Sequence, residues 1–303
     1  MYPPSGRDTI FTMAEGILFQ PADGVDERTL AAAINAAYDD YYVPIYLTPS
    51  SLRDLVARES IRLSESVVAL DGSRVVGMGL LGVRGLQGWI GGMGVIPSHR
   101  RRGIARRMMQ LLLSRARALG LARVRLEVIT RNEPAHRLYR ELGFRELRQL
   151  YVISRDTRRE VAVASSPPDG LAVAIRPAAE LLPAITALPC PVPPWQREEH
   201  VIHDLLDRLT GLTLIDAAER KVIGGAIYQR RFDAFDLFCA AALNEAAGAA
   251  LVEQIVSQAP RGFFSYLNIP EDDPLLPIFL SHGFIQTVAQ YEMALQLNRE
   301  IAL

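Results

Sequence analysis

Val95-Ile96-Pro97-Ser98-His99-Arg100-Arg101-Arg102-Gly103-Ile104-Ala105 decides how this chain is read. It joins an apolar, glycine-broken segment, Trp89 to Val95, to a strongly amphipathic one. Ile104, Met108, Leu111, Leu112 and Leu119 fall on one helical stripe, and Arg106, Arg107, Gln110 and Arg117 lie largely off it. Gly120 stands where a helix C-cap belongs, and the alternating, β-branched run Arg123 to Ile129 predicts a strand. A strand that turns through a basic loop into a helix N-terminus suits a phosphate. The first-turn N–H groups have no intrahelical partners there, and the helix dipole favours negative charge. Arg100, Arg101 and Arg102 add charge-assisted donors, so the expected ligand carries a pyrophosphate. The loop has no Gly-Lys-Ser/Thr, and no Gly-x-Gly-x-x-Gly follows a strand, which sets aside both common nucleotide-binding loops.

Outward from this loop, residues 17–20 predict a short strand, Asp26 to Asp40 a helix, and Ser50 to Glu59 a second helix capped by Ser50 or Ser51. Ser66 to Leu70 and Arg74 to Gly82 flank Asp71-Gly72 as a β-hairpin. Gly91, Gly92 and Gly94 suit a bulged or splayed strand that leaves backbone free for a ligand, or simply close packing. Asn132-Glu133-Pro134 opens a helix, and Arg145 to Ser154 predicts another strand. Ser165-Ser166-Pro167-Pro168-Asp169-Gly170 is the expected linker between domains at 1–160 and 170–303.

The second half repeats the first in weakened form. Leu214-Ile215-Asp216 and Lys221-Val222-Ile223-Gly224 answer Val68 to Gly77, with the glycines 147 residues apart. Asn268 and Gly283-Phe284 answer Asn132 and Gly143-Phe144 at offsets of 136 to 140. A strand from Phe232 to Ala240, a helix from Glu245 to Gln258, a strand from Phe263 to Asn268, a helix ending at Gly283 and a final strand complete the order. The basic loop is missing from this copy. Phe238 to Gly248 contains no arginine, and Glu245 would repel a phosphate.

Both signatures resemble those of the GCN5-related N-acetyltransferases. Arg100-x-x-Gly103-x-Ala105 matches the first motif of that family. Leu126-Glu127-Val128, Asn132, Ala135-x-x-Leu138-Tyr139 and Leu142-Gly143-Phe144 match the second, in order and at similar spacing. The resemblance implies an α/β chain with mixed sheets, built as two acyl-CoA N-acyltransferase domains in tandem. It also implies acetyl-CoA as donor, a primary amine as acceptor and direct attack, with no metal. The pyrophosphate would lie on Arg100, Arg101, Arg102, Gly103, Ile104, Ala105 and Arg106. Met93, Gly94 and Val95 would hold the pantetheine and thioester, with Asn132 and Tyr139 also against the donor.

In such a site Tyr139 would protonate the leaving thiolate, although a core aromatic is the competing reading. Asn132 could instead merely cap its helix. Glu127 matches the base of relatives that acetylate protein N-termini, against a strand carboxylate facing solvent or paired with Arg123 or Arg125. The strand before the loop offers no carboxylate of its own. The acceptor is expected among Asp39, Asp40, Tyr41, Tyr42 and Tyr46, acids with aromatic walls that suit a cation, or a cluster that only ends a helix. A small-molecule amine is favoured. A peptide N-terminus and a non-catalytic acyl-CoA-binding module are the alternatives.

Composition fits this reading. Three hundred and three residues suffice for two cores, and 49% apolar with 22% charged residues describes a globular chain. No apolar run reaches the roughly 20 residues of a membrane span. Residues 1–12 lack the apolar core of a signal peptide, so the expectation is a cytoplasmic protein, starting at Met1 or Met13, with no membrane partner. The net charge of −1 divides into +7 over residues 1–155 and −8 over 156–303. The basic half is accounted for by a pyrophosphate rather than nucleic acid, since no aromatics interleave the Arg100–Arg107 cluster. The two cysteines, Cys190 and Cys239, and the five histidines have no metal-ligand spacing. A homodimer is compatible with all of this.

Overall fold

The computed structural model describes residues 11–14, 16–157, 167–232, 234–258 and 262–297. It contains β1 (Phe11–Ala14), β2 (Ile17–Pro21), α1 (Glu27–Ala37), α2 (Pro49–Arg58), β3 (Val67–Asp71), β4 (Arg74–Arg84), β5 (Gln87–Val95), α3 (Ile104–Ala118), β6 (Arg123–Ile129), α4 (Glu133–Glu141) and β7 (Arg145–Asp156). The order continues with β8 (Leu171–Pro177), α5 (Ala178–Thr186), α6 (Glu199–His203), β9 (Thr210–Asp216), β10 (Lys221–Arg230), β11 (Ala234–Ala242), α7 (Glu245–Ser257), β12 (Phe263–Pro270), α8 (Leu276–Ser281) and β13 (Ile285–Gln296). Two compact units result: residues 1–147 with 293–303, and residues 148–292. The division falls inside β7 rather than at the linker expected near 160–170, of which Ser165 and Ser166 lie outside the described residues.

In the first unit the strands run β1-β2-β3-β4-β5-β6, and the end of β13 lies beside β6, where the Leu297 N–H donates to the Ala122 carbonyl at 2.9 Å. The pairs from β1 to β5 are antiparallel, and β5 with β6 is parallel. Helix α3 forms because Ile104, Met108, Leu112 and Ala116 recur on one face and are buried. Gly120, at φ +68°, ends it in the left-handed conformation that favours glycine. Helix α1 stops at Ala37, three residues short of the expected end, because Tyr38 leaves the helix and a turn closes from the Tyr41 N–H to the Tyr38 carbonyl. Helix α2 starts from Thr48 rather than Ser50 or Ser51. Thr48 and Ser51 form a reciprocal capping box, with Pro49 in the first turn where its missing N–H costs nothing.

In the second unit the order from the start of β13 is β7-β12-β11-β10-β9-β8. Its parallel pair, β11 with β12, mirrors β5 with β6. Tyr228, Phe235, Phe264, Phe279 and Phe284 build its aromatic core, with Tyr228 stacked on Phe235 at 4.3 Å between centroids. Strands β1 and β8 and helix α5 had no clear signal in sequence, and β11 begins at Ala234 rather than Phe232. No helix among the described residues is long and apolar enough to cross a membrane.

Candidate active site

Strands β5 and β6 pair only from Gln87–Arg123 to Trp89–Arg125, and then diverge into a fork. Between the β4–β5 partners Leu81–Ile90 and Gly79–Met93, β5 spends two residues, Gly91 and Gly92, against Leu80 alone on β4, which makes a bulge. An extra residue bends the strand and re-aims the groups beyond it. A Cβ on Gly91 would fall 1.7 Å from the Trp89 ring, so the indole lies across the bulge. A Cβ on Gly94 would lie 2.9 Å from the Ala37 Cβ; its absence lets the end of α1 close on β5.

That approach carries Tyr38, which the sequence reading did not single out, into the fork. Its hydroxyl donates to the Met93 carbonyl at 3.2 Å, and burial pushes its pKa well up. Because a residue's N–H and C=O point to the same side of a strand, the Met93 N–H faces the fork as well. Tyr139, from α4, is buried 6.1 Å from the Phe144 ring. Desolvation drives its pKa far up, reinforced by the neighbouring phenols of Tyr38 and Tyr41, so it remains a neutral phenol at physiological pH. Asn132 does cap α4, accepting from the Ala135 N–H at 3.4 Å, and it also hydrogen-bonds the Tyr41 phenol. Glu127 is half-buried on β6, and its carboxylate accepts from the Trp89 indole N–H at 2.8 Å.

Beyond the fork the chain reaches the basic loop. Arg101 and Gly103 both take positive φ, +64° and +75°. Helix α3 starts from Gly103 with no side-chain cap, whereas α1, α2, α4 and α7 are capped by Asp26, Thr48, Asn132 and Asn244. The longest helix therefore presents its first-turn donors, at Ile104, Ala105 and Arg106, without a side chain over them. Exposed Arg101 and Arg102 flank this end. That end can hold an anion.

Other candidates lie elsewhere in this arrangement. The Arg100 side chain turns away, donating to the Val95 carbonyl at 3.0 Å, to the Ala37 carbonyl at 3.0 Å and to both Asp40 oxygens. Arg106 pairs with Glu141. Asp40 is thus a partner of Arg100, Asp39 is exposed, and Tyr42 donates to the Arg131 carbonyl at 3.0 Å with the Arg131 guanidinium 5.7 Å from its ring centre. Tyr46 is exposed. Sequence could not reveal these partners, which come from 60 and 89 residues away. No group of three or more metal-ligating residues occurs among the described residues.

The second unit keeps the fork without this equipment. Its last rung is Leu237–Tyr266, so Asn268 stands two residues beyond it, as Glu127 does beyond Arg125. Arg197 lies in the opening, donating to the carbonyls of Phe238 on β11 and Asn268 on β12 at 3.2 Å each and to the Tyr266 hydroxyl. Asn244 caps α7, with Glu245 in its first turn. Phe279 stands where Tyr139 does, each four residues before a glycine of positive φ. A cavity of about 800 Å³ beside this helix end is lined by Pro189, Cys190, Asn244, Glu245, Leu275 and Ile278, among others.

Residues 31–144 match the family model "Acetyltransferase (GNAT) family". No curated protein matches the chain significantly. Among solved structures, a GCN5-related N-acetyltransferase from Sphaerobacter thermophilus is similar at TM-score 0.74 and 13% identity, covering 96% of this chain and 99% of its own. A tandem GNAT protein from the clavulanic acid biosynthesis pathway is similar at TM-score 0.67 and 14% identity, covering 92% and 98%. A GCN5-related N-acetyltransferase from Kribbella flavida gives TM-score 0.57 and 18% identity, covering 97% and 73%. At these identities the structures speak for the fold. Residues 31–144 thus resemble the acetyltransferase (GNAT) family, and the chain has the fold of a tandem GNAT protein.

Proposed function

We propose that the chain transfers an acetyl group from acetyl-CoA to a primary amine in its first unit, a small-molecule amine being the favoured acceptor. The carrying observation is the uncapped N-terminus of α3 at the end of the loop that leaves the bulged strand β5, with Glu127 on β6 beyond the last β5–β6 rung and Tyr139 buried beside Tyr38 and Tyr41. The pyrophosphate is assigned to the first-turn N–H groups of α3 with Arg101 and Arg102. Arg100 acts from behind, as a brace on β5. The pantetheine is assigned to the fork and the thioester carbonyl to the Met93 N–H.

Chemistry then needs two proton transfers. Glu127 accepts a proton from the attacking amine as the C–N bond forms. Tyr139 gives its proton to sulfur as the C–S bond breaks, and is later reprotonated from solvent. Hydrogen-bond donors held in place for the oxyanion supply the main stabilisation. Asp39, Tyr41 and Tyr42 are assigned to the acceptor side. The second unit is read as non-catalytic, since amide, phenyl and Glu245 stand where carboxylate, phenol and anion cradle stand in the first.

Glu127 also favours a peptide N-terminus as acceptor. Measuring CoA release from acetyl-CoA over a panel of small amines, polyamines and dipeptides tests both. Release with small amines supports the favoured reading and release with dipeptides alone the second. Tight CoA binding with no release across the panel would leave a non-catalytic acyl-CoA-binding module.

A further inference from the structure

We propose that the cavity at the start of α7, in the second unit, binds an amine with an apolar body, its ammonium against the Glu245 carboxylate. The cavity measures about 800 Å³, room for a small organic molecule. It lies before the helix that follows the second fork and beside the next helix, α8. In the first unit the corresponding helix end is the uncapped one.

Its walls are apolar and fixed. Pro189, Pro191, Pro274 and Pro277 line it together with Leu275 and Ile278. The two aliphatic residues belong to the buried core, and proline rings hold their own backbone. Such walls offer no hydrogen bond to replace the water around a phosphate, so an anion entering here would be desolvated without return. An apolar body gains from the same walls.

The polar end selects the charge. The Asn244 amide oxygen accepts from the Ala247 N–H at 2.9 Å, which covers the helix end that would otherwise face an anion. Glu245 also lines the cavity, and its carboxylate pairs with no other group among the described residues. A carboxylate in the first turn suits the helix dipole by itself. Beside an apolar cavity it is also the acceptor that an ammonium needs. A second carboxylate stands at the Pro274 wall: Asp273 is 4% exposed and accepts from the Leu275 N–H at 3.0 Å. Arg197 does not offset them for an incoming anion. Each of its three nitrogens already donates, to the carbonyls of Phe238 and Asn268 and to the Tyr266 hydroxyl. Placed between β11 and β12, it also bars a pantetheine arm from the second fork.

Cys190 supplies the test, because it lines the cavity and is exposed. Burial pushes the thiol of Cys239, the other cysteine, up to about 11, so Cys190 is the one that alkylates near neutrality. The measurement is the rate of Cys190 modification by N-ethylmaleimide in the full chain at pH 7, followed by mass. Phenethylamine, phenethyl alcohol and hydrocinnamate, one apolar body with three head groups, are compared as protectants. The amine should slow the reaction saturably, the alcohol less, and the carboxylate not at all. Glu245→Gln should raise the amine concentration for half protection about threefold or more, and Glu245→Lys should pass the protection to hydrocinnamate. Glu245 is exposed, so both variants should fold. No protection by the amine, or equal protection by all three compounds, overturns the proposal. Protection by acetyl-CoA in place of the amine, or amine protection unchanged in Glu245→Gln, overturns it as well. None of these readouts depends on acetyl transfer in the first unit.

Discussion

Arg100 grips Asp40 through both carboxylate oxygens, at 2.6 and 2.7 Å, while the same guanidinium holds the carbonyls of Val95 and Ala37. A residue that reads as a phosphate ligand is therefore a clamp between the end of β5 and the end of α1. Lysine has no fork to match this pattern. Arg100→Lys should lower kcat/KM for acetyl-CoA by roughly tenfold or more, through misplacement of the strand end. Steady-state kinetics at fixed acceptor concentration check this. The Arg100 guanidinium holds the Asp40 carboxyl below its ordinary 3.8, so the pair persists above that pH and is lost only as pH falls through the lowered value. Across the neutral range the clamp should be indifferent to pH, and thermal stability in Asp40→Asn should change little because the pair is exposed.

Tyr139 is expected to act through its hydroxyl alone. Tyr139→Phe keeps the ring against Phe144, so the fold and donor affinity should hold while kcat falls about 10²–10⁴-fold. Because burial pushes the phenol's pKa upward, its ionisation should cause no loss of kcat between pH 7 and its ordinary value of 10.0. A kcat profile over that range, compared with the Phe variant, is the measurement.

Gly94 is a packing position beside the site. An added methyl would meet the Ala37 Cβ at 2.9 Å and the Met78 Sδ at 3.2 Å. Gly94→Ala should destabilise the chain by ~1–3 kcal/mol in urea unfolding and push Tyr38 off the Met93 carbonyl.

In the second unit, Arg197→Ala should be costly without touching the donor site. It would remove the shared donor of two carbonyls and a hydroxyl in a buried setting, at a cost of about 3 kcal/mol. Urea unfolding should show that loss, while the number of CoA molecules bound per chain should not rise.

Much of this was legible in sequence where the signal is local. The stripe of α3, Gly120 at its end, the bulge at Gly91 and Gly92 and the internal repeat all follow from spacing within a few residues or from self-similarity. What escaped depends on contacts between distant segments. Arg100 and Asp40 lie 60 residues apart, and Tyr38 and Met93 lie 55 apart. Nothing in their neighbourhoods distinguishes a clamp from a ligand. Thr48 was missed for another reason: three hydroxyls, Thr48, Ser50 and Ser51, cluster at the start of α2, and only the fixed φ of Pro49 selects the one before it. The closure of the second fork by Arg197 was likewise hidden, since its partners lie 41, 69 and 71 residues further on.

The most direct test is calorimetric titration of the full chain with acetyl-CoA, in wild type and in Gly103→Glu. Gly103 sits at φ +75° with nothing within 4 Å of an added Cβ, so the variant costs about 1–2 kcal/mol of backbone strain and should still fold. It places a carboxylate at the end of α3. Wild type should bind one acetyl-CoA per chain, and the variant none. Two molecules bound per wild-type chain, or undiminished binding in Gly103→Glu, would contradict a single donor site on the first unit.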